Sequence, residues 1–349
     1  MRWRRRRKQI ISKVVMDTRK PNEYYESEVR LDCNTCPTQR YTRVARIGHG
    51  TYGHVHRSID HERNTEVAIK YIDFPCDMND YQRVIREIHC LRHLSHTNLL
   101  GLADGCGIFC EGNEIGLVTP LHDLTLHRVL HRYCVKLMPC QRSFILDGLL
   151  AGLQYMHRSG LYHRDVKPDN VLLNKDCHPV LADFGLAREV GGSSDNLSWY
   201  VVTRWYRAPE LLYKVEYDGS VDVWALGCVL AEMISGKPLF QGINDVEQLQ
   251  LIYRMLGSSC ESTTITSFDE FCRGCARSCR ARLSMRLFDA TSEELDLLEC
   301  ILAARRPSSI ELGGGQGGEL PRAKPLVMQE STRGLQEHLL FEIDWFSAP

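Results

Sequence analysis

The sequence lacks three features: a long apolar run, a strong net charge and an even number of cysteines. No apolar stretch approaches the ~18 residues that a membrane-spanning helix needs, so we expect no membrane partner. The formal net charge of −1 argues against a dedicated nucleic-acid-binding protein. The N-terminal segment is a poor signal peptide, because its apolar residues near position 11 are few and interrupted by Lys13. The chain has 15 cysteines. We therefore expect reduced thiols and a location in the cytoplasm, the nucleus or both.

A chain of 349 residues exceeds one typical hydrophobic core, so two lobes or two domains are expected. Residues 1–40 carry a basic run, with arginines at positions 2 and 4–7 and a lysine at position 8. We interpret this segment as a solvated, disordered N-terminal extension. The alternative is a localisation signal or a nucleic-acid patch.

The densest group of reactive side chains lies in residues 163–170, HRDVKPDN. Asp165 can accept a proton, Lys167 can neutralise a phosphate, and the amide oxygen of Asn170 can ligate a metal ion. One short segment therefore has the groups that phosphoryl transfer requires.

A glycine-rich segment precedes this group, at residues 47–55, IGHGTYGHV. Glycines at positions 48, 50 and 53 let a backbone approach phosphates without a Cβ clash. Alternating apolar residues on both sides predict strands, so the segment is a hairpin. A glycine loop between two strands favours a phosphate-covering loop over a dinucleotide-binding fold.

Two charged residues follow the hairpin. Lys70 is predicted to end the strand formed by residues 67–69, VAI, within reach of the glycine loop. Apolar residues at helical spacing predict an amphipathic helix over about residues 80–94, and Glu87 lies within it. A carboxylate near the buried edge of a helix needs a cation, and Lys70 is the candidate partner.

Two further motifs lie C-terminal to the reactive segment. Residues 183–185 read DFG, and a carboxylate at a strand end before a glycine suits a metal ligand. Residues 203–210 read TRWYRAPE, and an apolar helix is predicted over residues 221–234. A glycine-rich break occupies residues 313–318.

These motifs, in this order, resemble the signature set of eukaryotic protein kinases. The resemblance implies an α+β fold of two lobes, with a small β-rich N-lobe, a larger helical C-lobe and an ATP cleft between them. It places the kinase domain at residues 41–310, with the N-lobe at about 41–120 and the C-lobe at about 121–310. Residues 311–349 form a glycine-rich, divergent tail.

The resemblance also implies site roles. Asp165 resembles the catalytic base, and Lys167 resembles the lysine that contacts the transferred phosphate. Lys70 would hold the ATP α- and β-phosphates and pair with Glu87, and Asn170 and Asp183 would bind Mg²⁺. Thr119 would lie at the back of the ATP pocket. The implied adenine and phosphate contacts are Ile47, Gly48, Gly50, Gly53, Val55, Ala68, Lys70, Thr119, His122 and Leu172. Pro120 departs from the family pattern, because it removes a backbone N–H from the hinge.

The TRWYRAPE string and residues 227–233, GCVLAEM, resemble the group of cyclin-dependent and MAP kinases. That group implies serine/threonine kinase activity on Ser/Thr-Pro sites, with Arg207 shaping the pocket for the residue after the phosphoacceptor. Motifs near Tyr217 and Asn244 favour the cell-cycle-related branch of the cyclin-dependent kinases. The alternatives are a MAP-kinase-like enzyme activated at Ser198 and Tyr200, and a catalytically weak scaffold.

Regulation is implied by the same resemblance. Thr51 and Tyr52 match an inhibitory phosphorylation pair at the tip of the glycine loop. Ser198 occupies the position of the activating phosphoresidue, and its phosphate could be received by three arginines, Arg86, Arg164 and Arg188. The implied partners are protein substrates and either a cyclin-like activator or an upstream kinase. Arg306 resembles the arginine that pairs with Glu210.

Overall fold

The computed structural model describes residues 40–50, 53–74, 78–103, 107–189, 204–257, 268 and 279–302. Within these residues the chain forms a β-rich N-lobe followed by a mainly helical C-lobe. This arrangement confirms the predicted α+β fold with two lobes.

The N-lobe is built on an antiparallel five-stranded sheet. Its strands are β1 (Tyr41–Gly50), β2 (Gly53–Asp60), β3 (Thr65–Asp73), β4 (Ile108–Glu111) and β5 (Glu114–Pro120). Their order in the sheet is β1-β2-β3-β5-β4. Among the described residues, one helix, α1 (Met78–His93), accompanies the sheet.

The position of Lys70 corrects one expectation from the sequence. β3 continues to Asp73, so Lys70 lies inside the strand instead of at its end. The strand continues because Tyr71 and Ile72 are both buried, each about 2% exposed, and remain paired with β5. Lys70 is therefore held by strands on both sides, which restricts where its ammonium group can lie.

The C-lobe contains short strands that carry the candidate site and helices that support them. The strands are β6 (Leu124–Thr125), β7 (Leu161–Tyr162), β8 (Val171–Leu173), β9 (Pro179–Leu181) and β10 (Arg188–Glu189). The α-helices are α2 (Pro139–Arg158), α3 (Pro209–Tyr213), α4 (Ser220–Ser235), α5 (Asp245–Leu256), α6 (Arg280–Ser284) and α7 (Ser292–Leu302). A π-helix (Arg128–Arg132) and two 3₁₀ turns (Pro168–Asn170 and Arg204–Tyr206) complete the described elements.

Helix α4 is the centre of the C-lobe core. From Val221 to Ile234, nearly every side chain of α4 is buried, including the carboxylates of Asp222 and Glu232. A helix that is apolar on all sides must be surrounded by other elements, and α2 and α7 both pack against it. The two buried carboxylates therefore require internal partners.

A search of the described helices finds none with both the length and the apolar character to cross a membrane.

Candidate active site

The loop after β7 holds Asp165, Lys167 and Asn170 together. The Lys167 ammonium lies 2.8 Å from Asp165 Oδ2. Asn170 Nδ2 donates to the same oxygen at 2.9 Å and to the Asp165 carbonyl at 2.8 Å. Burial raises the pKa of Asp165, and the charge of Lys167 opposes that shift. Two donors thus fix one carboxylate oxygen and leave the other for a ligand.

Asp222 of α4 anchors the start of this loop. Its Oδ2 accepts the backbone N–H of His163 at 2.8 Å, and its Oδ1 accepts that of Arg164 at 2.6 Å. His157 Nε2 donates to Oδ2 at 2.8 Å. Arg164 has a φ of 67°, a left-handed conformation that is uncommon for residues other than glycine. The buried carboxylate therefore stabilises a strained backbone immediately before Asp165.

His163 connects the loop to the DFG motif. Its Nδ1 accepts the backbone N–H of Asp165 at 3.2 Å, so its Nε2–H donates to the Ala182 carbonyl at 3.1 Å. The imidazole is fully buried and meets the ring of Phe184 edge-on, with 5.6 Å between ring centroids. The position of Asp183 is therefore coupled to that of Asp165.

A second charged group spans the two lobes. Lys70 Nζ lies 2.6 Å from Glu87 Oε1 and 3.4 Å from Asp183 Oδ1. Burial lowers the pKa of Lys70, but the charges of Asp183 and Glu87 outweigh it and raise the pKa overall. The charge of Lys70 lowers the pKa of Asp183. The predicted pairing of Lys70 with Glu87 is present, and Asp183 stays ionised beside it.

Asn170 and Asp183 have the donor atoms that a hard divalent cation prefers. The Asn170 amide nitrogen makes both of its hydrogen bonds to Asp165, which leaves its oxygen as the ligating atom. Among the described residues, no three His, Cys, Asp or Glu side chains form a group that could hold a metal. The Asp183 carboxylate and the Asn170 amide oxygen fit Mg²⁺, which is commonly held by one or two carboxylates together with substrate phosphates.

The strand register places the predicted adenine contacts on one face of the sheet. Val55 pairs with Lys70, and Ala68 pairs with Thr119. Directly opposite residues share a face, as do residues two apart on one strand, so these four side chains line the same surface. Leu172 lies on β8 opposite Thr125 in a separate small sheet of the C-lobe.

The glycine hairpin is closed by the pairing of Gly50 with Gly53. A Cβ at Gly53 would overlap the carbonyl oxygen of Tyr71, so this position requires glycine. Gly48 also lies in β1, and Ile47 before it is about 39% exposed. Thr51 and Tyr52, the predicted inhibitory pair, lie outside the described residues.

The hinge at Pro120 has a hydrogen bond that the sequence did not predict. His122 Nδ1 lies 3.2 Å from the Pro120 carbonyl oxygen. By resemblance, that carbonyl would accept a hydrogen bond from adenine. It already has one donor in this structure, although a carbonyl oxygen can accept two.

The three predicted phosphate-receiving arginines lie near one another. β10 pairs with β7 and places Arg188 opposite Tyr162 at the start of the catalytic loop. Burial lowers the pKa of Arg164, and the charges of Arg188 and Arg86 lower it further. Arg164 Nε and Nη1 are buried without a hydrogen-bond partner among the described residues, and its guanidinium lies 5.3 Å from the Tyr217 ring centroid. Ser198 and Tyr200 fall outside the described residues.

The segment after the 3₁₀ turn Arg204–Tyr206 carries Arg207. Burial lowers the pKa of Arg207, and the negative charges of Asp245 and Asp165 oppose that shift. Arg207 is therefore close enough to Asp165 for their charges to interact. Glu210 follows at the start of α3, and Arg306, its predicted partner, is not among the described residues.

Sequence reasoning missed the roles of three acidic residues: Asp222, Glu232 and Glu294. Glu294 pairs with Arg142, whose Nε lies 2.7 Å from Glu294 Oε1. Arg142 is buried, with about 1% exposed. For Asp222 and Glu232, the sequence signal of a structural role was the presence of two carboxylates in the otherwise apolar sequence of α4.

Comparison with known proteins agrees with this geometry. A family model for the protein kinase domain matches residues 41–308. Mitogen-activated protein kinase 14 of Xenopus laevis is 36% identical over 240 residues, which are 67% of this chain and 65% of that protein. Mitogen-activated protein kinase HOG1A of Wallemia ichthyophaga is 38% identical over 275 residues, 76% of this chain and 72% of that protein.

Mitogen-activated protein kinase 7 of Arabidopsis thaliana is 40% identical over 230 residues. The match covers 64% of this chain and 61% of the plant protein, so the chain spans less than two thirds of the length of two of these three relatives. All three are named as MAP kinases, which corrects the preference for the cell-cycle-related branch. The group of cyclin-dependent and MAP kinases still fits, and the chain belongs to the protein kinase family.

Proposed function

We propose that this protein is a MAP-kinase-like serine/threonine kinase that uses ATP and Mg²⁺. The observation that carries the proposal is the arrangement of Asp165, held by Lys167 and Asn170, beside the Lys70–Glu87–Asp183 group. Protein kinase domains use ATP and a divalent metal, and the oxygen donors of Asn170 and Asp183 support Mg²⁺ as that metal. A bound Mg²⁺ would neutralise charge on the phosphates.

In the proposed reaction, Asp165 orients the substrate hydroxyl and accepts its proton. The hydroxyl oxygen forms a bond to the γ-phosphorus while the bond from phosphorus to the β–γ bridging oxygen breaks, and ADP leaves with that electron pair. Lys167 stabilises negative charge on the transferred group, and Lys70 holds the α- and β-phosphates. Positioned charges account for catalysis, because this chemistry needs little covalent assistance.

We further propose that the substrates are proteins with Ser/Thr-Pro sites. The interaction between the charges of Arg207 and Asp165 supports this assignment. Proline after the phosphoacceptor has no N–H that would need a partner in this pocket. The names of the relatives support the same group of kinases.

Activation is proposed to depend on a phosphate at Ser198, with Tyr200 as a second site. The cluster of Arg164, Arg188 and Arg86 supports this part of the proposal, since it concentrates positive charge near the catalytic loop. A phosphate with a charge of about −1.5 to −2 would relieve the repulsion among these groups. The MAP-kinase relatives favour an upstream kinase over a cyclin as the activator.

The test uses labelled ATP, Mg²⁺ and two peptides that differ only in Ser-Pro against Ser-Ala. We expect the wild type to phosphorylate the Ser-Pro peptide and Asp183→Asn to be inactive. Equal and negligible transfer by both proteins, after treatment of the wild type with an activating kinase, would favour the alternative of a catalytically weak scaffold. Equal transfer to both peptides would exclude proline direction.

Activation has its own test. We expect Ser198→Ala to lower activity markedly after treatment with an upstream kinase, because the arginine cluster would lack its phosphate. Full activity in that variant would contradict the proposed role of Ser198.

A further inference from the structure

Two histidines beside the π-helix Arg128–Arg132 have no role in the proposed transfer step. The rings of His127 and His131 are tilted against each other with 4.6 Å between centroids. His131 Nε2 lies 2.7 Å from Glu232 Oε1, and His127 Nδ1 lies 3.9 Å from Asp169 Oδ1. The pair therefore bridges the catalytic loop and helix α4.

Glu232 is fully buried and has a donor at each carboxylate oxygen. Tyr206 donates its hydroxyl to Oε2 at 2.7 Å, and His131 donates to Oε1. Burial raises the pKa of Glu232, and the hydrogen bonds from Tyr206 and His131 oppose that shift. Burial and the charge of Glu232 raise the pKa of Tyr206, so the phenol stays protonated and remains a donor.

Tyr206 is the last residue of the turn Arg204–Tyr206 and directly precedes Arg207. The same segment is fixed from another side, where Gln248 Nε2 donates to the Trp205 carbonyl at 3.2 Å. The contacts from His131 through Glu232 to Tyr206 thus end at the segment assigned to the residue after the phosphoacceptor. They do not include Lys70, Asp165 or Asp183.

We propose that His131 is a positioning residue for the peptide substrate. It donates a hydrogen bond to Glu232 and, through Glu232, holds the segment of Tyr206 and Arg207, so that peptide affinity depends on a hydrogen-bond donor at position 131. This inference rests on the proposed kinase function and adds a determinant of substrate binding.

The donor matters because Glu232 is fully buried. A buried acceptor that loses its donor costs desolvation free energy, and the cost is larger for a charged group. Removing the donor at position 131 takes the hydrogen bond from Oε1 of Glu232, so the carboxylate is held less firmly against Tyr206. Peptide affinity is therefore expected to fall when that donor is removed.

The experiment measures KM and kcat for the Ser-Pro peptide at saturating Mg²⁺-ATP and at one fixed pH. The proteins are the activated full-length wild type, His131→Gln, His131→Leu, Tyr206→Phe and His61→Leu. Glutamine retains an N–H donor, leucine removes it, and phenylalanine at position 206 removes the other donor to Glu232. His61 is an exposed histidine in the turn between β2 and β3 and serves as the matched control.

We expect KM to rise about fivefold in His131→Leu and in Tyr206→Phe, in line with the loss of a hydrogen bond to a charged group. His131→Gln and His61→Leu should have KM values within about twofold of the wild type. kcat should differ between the wild type and the His131 variants by no more than about twofold. A larger loss of kcat with an unchanged KM in His131→Leu would overturn the inference.

Two other results would also overturn it: wild-type KM and kcat in His131→Leu, or a KM in His131→Gln as high as that in His131→Leu. If His131→Leu does not fold, Tyr206→Phe decides, and a wild-type KM in that variant would overturn the inference. If the wild type phosphorylates no peptide, the proposed function fails. Peptide binding measured by fluorescence anisotropy then tests the inference separately, with the same expected and contradicting order of affinities.

Discussion

Replacing Asp222 by asparagine tests how the catalytic loop is held. The two carboxylate oxygens of Asp222 accept different backbone N–H groups, those of His163 and Arg164. Asparagine keeps one acceptor oxygen and places an NH₂ group where the other was, so one buried N–H loses its partner. That loss costs about 1–3 kcal/mol. Weakening the charged hydrogen bond from His157 brings the expected destabilisation to about 2–4 kcal/mol.

Asp222→Asn should still fold, because typical domains are stable by about 5–15 kcal/mol. Its kcat should nevertheless fall about 10- to 100-fold, since the left-handed backbone at Arg164 directly precedes the proposed base and small displacements there are costly. Urea titration gives the free energy of unfolding, and peptide phosphorylation gives kcat. Asp176→Asn, at an exposed turn position, is the control and should change stability by less than about 0.5 kcal/mol. Wild-type stability and kcat in Asp222→Asn would refute the reasoning.

The same carboxylate predicts a pH dependence. Burial tends to raise the pKa of Asp222, but the hydrogen bonds from His157 and from the backbone N–H of Arg164 lower it overall. A carboxyl group with a lowered folded-state pKa contributes stability above its ordinary pKa of about 4, and the contribution is lost as pH falls below that value. The difference in unfolding free energy between wild type and Asp222→Asn should therefore be constant from neutral pH down to about pH 5 and shrink below about pH 4. A difference that grows on acidification would contradict this assignment.

Three further perturbations follow from the structure. Glu87→Gln removes one of the two carboxylates that pair with Lys70 and should lower kcat/KM for ATP by about 10- to 100-fold; an unchanged value in steady-state kinetics would show that the pair is not needed. Arg142→Ala leaves the carboxylate of Glu294 without its buried partner and should cost about 3–5 kcal/mol in urea titration, whereas an unchanged midpoint would exclude a stabilising role. Chelation of divalent metal should abolish peptide phosphorylation, and Mg²⁺ should restore it; transfer that persists in excess chelator would contradict the metal-binding assignment of Asn170 and Asp183.

The groups of the candidate site were predictable from sequence where they are close together in the chain. Asp165, Lys167 and Asn170 lie within six residues, so any compact loop brings them together. The helical spacing that puts Glu87 near the buried edge of a helix also predicts a cation partner, for which Lys70 is the candidate. The same pattern ends β3 too early, at Lys70, because Tyr71 and Ile72 continue the buried strand.

The supporting contacts were not predictable because they join residues far apart in sequence. Asp222 and Arg164 are 58 residues apart, and His131 and Glu232 are 101 apart. Such pairs are determined by how the helices pack, which no local pattern specifies. The sequence did contain one usable signal, since a carboxylate in the apolar helix α4 needs a buried partner. The choice between kinase branches rests on short strings shared by related groups, and similarity over 230–275 residues favours MAP kinases instead.

The central claim is that Asp165 acts as the base in phosphoryl transfer from ATP to a protein hydroxyl. The most direct measurement is the kcat of Asp165→Asn with the Ser-Pro peptide, beside ATP binding by the same protein. We predict that ATP binding is retained and that kcat falls by about 10²- to 10⁴-fold relative to the activated wild type, the usual contribution of a general base. A kcat equal to that of the wild type would contradict the claim.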